Sequence, residues 1–205
     1  MKKKDKNTEQ LILQSARKVF IEKGLAGARM QDIANQAGFN KALLHYYFTS
    51  KNKLFDIVFE QEFGNFFSNL ANILTAELSL FEKIGNIVAL DIERLTQFPG
   101  LPNFMLNEMS RNPDVILKRL KKIPVEMVLG AFQKQINAEV KKGTIKKISA
   151  QQLLINIQSL CIFPFIARPM IKGLMQMDEK AYHEMIQRRK TEVAQFIISA
   201  IKIIE

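Results

Sequence analysis

Apolar residues return at helical spacing through almost the whole chain, and the polar residues between them mark where each helix starts and stops. From Asn7 to Gly24, Leu11, Ile12, Ser15, Val19 and Phe20 define one face, Asn7 with Gln10 reads as a capping box, and Gly24 closes the helix. After Ser50 a helix carries Leu54, Phe55, Val58, Phe59, Phe63 and Phe66. Further helices are predicted over 80–97, 102–111, 113–142 with a break at Pro124, 149–168 and 178–204. Pro99-Gly100-Leu101-Pro102, Asn112-Pro113 and Lys142-Gly143-Thr144 punctuate them. Few stretches alternate with period two and none is bounded by hairpin turns, so no sheet is expected.

The segment 28–51, ARMQDIANQAGFNKALLHYYFTSK, reads as two short helices joined by a tight turn. Met30, Ile33 and Ala34 share one face of the first helix, and Gly38 supplies the turn. Asn40 occupies an N-cap position, and Leu44 and Phe48 follow at i, i+4. The remaining faces of the second helix carry Lys41, Ala42, Leu43, His45, Tyr46 and Tyr47, a basic, aromatic and hydroxyl-bearing set. A helix of this size, held by a small core, fits the DNA major groove. Lys51 opens the next helix, where its ammonium and the helix N-terminal amides can meet a phosphate.

The ordered set Ile12, Leu13, Ala16, Phe20, Gly24, Ile33-Ala34, Ala37-Gly38, Leu44, Tyr46, Phe48, Lys51 and Leu54 resembles the DNA-binding domain of the TetR family of bacterial transcriptional regulators. The motif covers roughly the first quarter of the chain; beyond it only length and helical character agree. Ala28 and Arg29 stand where many members lead into the second helix with a hydroxyl, so a cap is missing there, although Arg29 retains a phosphate-contacting charge. Asn40 keeps the capping chemistry of the family's Ser, and Ala42 replaces a frequent Gly. Leu43 and His45 replace the family's more usual Tyr or hydroxyl residues, so the operator cannot be copied from relatives. Leu43 either packs on a thymine methyl or turns inward beside Leu44. The expected DNA-binding set is Arg29, Asn40, Lys41, Ala42, Leu43, His45, Tyr46, Tyr47 and Lys51.

The resemblance implies an all-α chain: a three-helix, helix-turn-helix DNA-binding domain over 7–54, with its helix-turn-helix near 29–48, and a larger effector-binding and dimerisation domain over 55–205. Charge agrees with this division. Of the net charge of +10, residues 1–53 hold eleven Lys or Arg against four Asp or Glu, a net of +7. Such a surface draws a phosphate backbone through counterion release. Lys2, Lys3, Lys4 and Lys6 form either a DNA-contacting arm or a solvated tail.

The 205 residues contain one Cys, so no intramolecular disulfide forms, and no apolar signal stretch follows the leading lysines. The longest apolar stretch, 153–167, is interrupted by Asn156, Gln158, Ser159 and Pro164, so no membrane span is expected and a cytoplasmic location is. Leu153, Leu154, Ile155, Ile157, Leu160, Cys161, Ile162 and Phe163 surround one late helix. Met185, Ile186, Val193, Phe196, Ile197, Ala200, Ile201 and Ile204 form a wide stripe on the last. Apolar surface wider than one core requires implies a partner. In the resembled family two such helices pair with their symmetry mates, which would place two recognition helices on a palindromic duplex operator.

Phe59, Phe63, Phe66, Phe67, Phe81, Phe98, Phe104, Met105, Met109, Met127 and Phe132 could line an effector pocket or fill the core, and none is singled out as a contact. With two His, one Cys in an apolar run, no metal-spaced cluster, no phosphate loop and no nucleophile elbow, neither catalysis nor a metal or cofactor is expected. Asp91 and Glu93, two apart on a helix, point different ways. The functional expectation is a repressor released from its operator by a small hydrophobic or amphipathic ligand. The alternative is a non-enzymatic small-molecule sensor or carrier that has lost operator binding.

Overall fold

The computed structural model describes residues 5–121 and 124–203; Lys2, Lys3, Lys4 and Ile204, which figure in the expectations above, lie outside the described residues. Among the described residues the regular structure is helical, and the one bridge is an isolated antiparallel pairing of Ile145 with Lys202. The order is α1 (Lys6–Gly27), α2 (Met30–Ala37), α3 (Lys41–Tyr47), α4 (Lys51–Thr75), α5 (Leu80–Gln97), α6 (Leu101–Arg111), α7 (Pro113–Leu120), α8 (Val125–Lys141), α9 (Ala150–Ile166), α10 (Arg168–Leu174) and α11 (Glu179–Ile201).

The chain divides into two compact units. The first takes in the chain up to Phe66 together with Asn103–Ser110, and the second comprises Phe67–Pro102 and the chain from Arg111 onward. The first unit therefore extends past the boundary expected at residue 54. The reason is aromatic packing: Phe55, Phe59 and Phe63 follow at i, i+4 on α4, Phe20 of α1 meets Phe55 edge-on at 5.1 Å, and Phe104 lies 5.3 Å from Phe55 and 5.7 Å from Phe59. Edge-to-face and offset contacts of this kind add to the burial of large rings.

In the first unit, α1 is capped by Asp5, whose carboxylate accepts from the N–H groups of Asn7 and Thr8 and from the Thr8 hydroxyl. These bonds, the hydroxyl's first, hold the Asp5 carboxyl below its ordinary range. The expected capping box at Asn7 and Gln10 gives way to a carboxylate two residues earlier. Ile12, Ser15, Ala16, Val19, Phe20 and Ile21 face inward, while Leu11 is exposed, so the apolar face sits one step round from the expected one. The helix breaks at Gly24, where φ is +65°.

In the second unit, α5 opens on a capping box that joins Ser79 and Glu82, and it packs through Ile84, Ile87, Val88 and Ile92. The break expected at Pro124 is present: α7 ends at Leu120 and α8 starts at Val125, directly after Pro124, which cannot donate a backbone bond. The helix expected over 149–168 ends at Ile166, and α10, not foreseen, starts at Arg168 with Pro169 in its first turn. No single helix among the described residues is long and apolar enough to cross a membrane; α9 and α10 reach that length only as a pair bent by 71°.

Candidate nucleic-acid interface

The short helices α2 and α3 cannot hold themselves in water and depend on what they bury. Met30, Ile33 and Ala34 of α2 and Leu44 of α3 are buried, as is Phe48 just past α3. Between the helices Gly38 takes φ +73° and ψ 23°, a left-handed C-cap, with its N–H bonded to the carbonyls of Ala34 and Asn35. Asn40 then caps α3, its side-chain oxygen accepting from the Leu43 N–H at 2.8 Å. Turn, cap and core thus stand where the sequence puts them.

The outer face of α3 carries Lys41, Ala42, His45 and Tyr46, all exposed, with Leu43 and Tyr47 half-buried. Tyr46 is 53% exposed, and its ring meets that of Tyr47 edge-on at 5.4 Å. The Tyr47 hydroxyl accepts from the Asp5 N–H at 3.0 Å, which ties α3 to the start of α1. Leu43 is neither core nor fully solvated.

Arg29 is exposed ahead of α2 and makes no side-chain cap, as its residue type requires. Asp32 in the first turn answers part of this deficit. Its carboxyl is held below the ordinary range first by a hydrogen bond from Lys23, at 3.0 Å, and further by the Arg29 N–H and charge. Lys51 departs most from its expected role. Its ammonium donates to the carbonyl oxygens of Leu25, at 2.7 Å, and Ala28, at 2.9 Å, so two of its three N–H groups close the turn between α1 and α2. The pair Arg17 and Glu62 is one that no sequence motif marks. The Arg17 guanidinium contacts the buried Glu62 carboxylate at 2.6 and 3.1 Å, joining α1 to α4 inside the unit. A charge pair 45 residues apart has no local signature by which a sequence betrays it.

In the second unit, the helices expected to pair each divide their apolar residues between two faces. Leu153, Ile157, Cys161 and Phe165 of α9 are buried, and Ile155 and Phe163 are 59% and 55% exposed. On α11, Ile186, Val193, Ala194, Ile197 and Ile201 are buried and Phe196 is 65% exposed. Cys161 is inert, its thiol pushed up to about 12 by burial and by the Asp91 charge. Of the aromatic and thioether candidates for an effector pocket, Phe59, Phe63 and Phe104 belong to the first unit's core, Phe132 is buried in the second, and Met127 is 67% exposed.

Two short helices set on a buried core, with a left-handed glycine between them and a basic, aromatic outer face, define a helix-turn-helix domain of the DNA-binding class. Residues 12–58 match the bacterial regulatory proteins of the tetR family. The chain is 41% identical over 59 residues to the HTH-type transcriptional repressor NicS of Pseudomonas putida; that stretch covers 29% of this chain and 28% of the repressor. Solved structures match along nearly the full length. The ketosteroid transcriptional regulator KstR2 of Mycobacterium tuberculosis superposes with a TM-score of 0.67 over 98% of each chain at 15% identity. The transcriptional regulator FadR of Bacillus subtilis, solved with stearoyl-CoA, gives 0.61 over 94% of this chain and 98% of its own at 18% identity. At these identities the likeness is one of fold.

Proposed function

We infer that the protein is a homodimeric transcriptional regulator, a repressor that binds a palindromic DNA operator and is released from it by a small hydrophobic or amphipathic ligand. The observation that carries this reading is the outer face of α3: Lys41, His45 and Tyr46 exposed on a helix that Asn40 caps and Leu44 anchors. Lys41, with Arg29 ahead of α2, supplies phosphate contacts that position the domain, and Ala42, Leu43 and His45 supply contacts to base edges. The exposed apolar residues of α9 and α11 support pairing with a second copy, which presents two recognition helices to half-sites roughly 34–36 Å apart or a multiple of that. Ligand release is then a shift between two dimer geometries, one that spans consecutive major grooves and one that does not.

Selection of bound duplexes from random DNA tests this. A palindromic consensus with half-sites about one or more helical turns apart is the expected result. Failure to enrich any sequence, with affinity that depends on salt alone, would leave the alternative of a sensor or carrier without an operator.

A further inference from the structure

The second unit holds a cavity of about 500 Å³ bounded by the end of α5, the bend between α9 and α10, and the first turns of α11. That volume lies within the range of small-molecule sites, roughly 300–1,000 Å³. Its floor is apolar: Pro99, Phe165, Ile186 and the ring of Tyr182, the last three buried. The Tyr182 ring is fixed in place because its hydroxyl donates to the Pro164 carbonyl oxygen at 3.0 Å. The Arg168 guanidinium lies over that ring, 5.1 Å from its centre. At the rim Lys180 and His183 stand beside Glu179 and Glu184.

One carboxylate already occupies the cationic corner. Arg168 and Lys172 both donate to Glu179, the first residue of α11, and these two bonds, that of Lys172 first, hold the Glu179 carboxyl below its ordinary range. Glu179 nevertheless leaves 68% of its side chain exposed. It is thus an internal ligand on the solvent side of an apolar cavity, held by two cations from α10, and it shows what chemistry that corner accepts. A free carboxylate attached to an apolar body makes the same charge-assisted bonds and also covers the floor.

We propose that this cavity binds an amphipathic anion, an apolar body carrying one carboxylate, whose head group takes Arg168 and Lys172 in place of Glu179. The proposal rests on the effector reading above and names the ligand class and its place. The cavity is walled by α9 and α11, the same helices whose outer faces are offered for pairing, so occupancy bears directly on dimer geometry.

Calorimetric titration of the full chain with decanoate, and with decan-1-ol as the uncharged control, tests it. Decanoate should saturate at one per chain, and decan-1-ol should bind about tenfold more weakly. Arg168→Gln should weaken decanoate about tenfold, and Glu179→Gln, which removes the internal competitor, should strengthen it by about threefold or more. Glu179 is exposed, so its variant stays interpretable if Arg168→Gln fails to fold. Absence of saturable binding, equal affinities across the variants, or weakening by Glu179→Gln would each overturn the proposal. Parallel titrations with the selected operator separate the two readings. Decanoate that binds as described without releasing DNA leaves the site standing and removes the effector reading. Decanoate that releases DNA equally from the wild type and both variants does the reverse.

Discussion

The Lys51 ammonium donates to the Ala28 carbonyl oxygen at 2.9 Å, and the same nitrogen reaches the Leu25 carbonyl at 2.7 Å. A lysine at the start of α4 thereby closes the turn on which α2 begins. Lys51→Ala leaves two carbonyls without a charged donor and should lower stability by about 1.5–3 kcal/mol, the worth of hydrogen bonds to a charged group. The dependence of log affinity on log salt should stay as in the wild type. A slope flatter by about 0.9 in an anisotropy titration, with unchanged melting, would return Lys51 to the phosphate-contacting set.

Asn40 holds α3 by one bond, to the Leu43 N–H. Asn40→Ala should cost about 1 kcal/mol and Asn40→Ser only a few tenths, because Ser keeps the capping oxygen. Chemical denaturation of the three proteins checks this. Equal midpoints would mean that α3 is set by its core contacts alone.

The features legible in the sequence are those with short-range causes. Gly38, Asn40, Leu44 and Phe48 each act within four residues, and each stands in the structure as the local pattern implies. Ser79 with Glu82 is an equally local signature and forms a capping box, whereas α1 is capped by Asp5 in place of the box expected at Asn7 and Gln10. The rest depends on residues distant in the chain. Whether Lys51 faces solvent or the carbonyls of Leu25 and Ala28 is decided across 23–26 residues, and the Arg17–Glu62 pair spans 45. The extension of the first unit to Phe66 needs Phe104 to arrive from α6. The start of α10 is not fixed by the local pattern either, since Pro164 and Pro169, five apart, permit one kinked helix or two.

Leu43 is half-buried on α3. Leu43→Ser should keep fold and dimer and lose preference for thymine over cytosine at one position per half-site, a loss on the order of 1 kcal/mol for one methyl contact. Repeating the operator selection with the variant reads this directly. A lowered melting temperature with unaltered base preference would assign Leu43 to the core.

Phe196 and its neighbour Ile197 separate assembly from folding, since one is 65% exposed and the other 4%. Phe196→Asp should dissociate the proposed dimer into folded monomers, because the charge enters a surface that the proposed pairing would cover. Ile197→Asp should unfold the second unit, at a cost of several kcal/mol for an unpaired buried charge. Sedimentation and circular dichroism distinguish the outcomes, and an intact Phe196→Asp dimer would place the interface elsewhere.

Asp91 gives the second unit a pH dependence whose sign is fixed by burial. Its carboxyl on α5 is pushed up to about 6 by burial, against the lowering effects of the Gln158 hydrogen bond and the Arg94 charge. Gln158 Nε2 donates to Asp91 Oδ2 at 2.7 Å, a bond that lowers the value without offsetting the effect of burial. Since the ordinary value is 3.8, the folded chain binds the proton more tightly than the unfolded chain between those two values. Stability from this group is therefore full below the unfolded value and is lost as pH rises through about 6. By linkage the loss amounts to about 3 kcal/mol at neutral pH. Asp91→Asn retains an oxygen to accept from Gln158 and carries no charge at any pH. It should match the wild type near the acid end of this window and exceed it above the upper value, removing this group's downward slope. Denaturant midpoints measured across the interval check this. A variant no more stable than the wild type at neutral pH would show that the Asp91 charge is compensated in the fold and that the carboxyl titrates in the ordinary range.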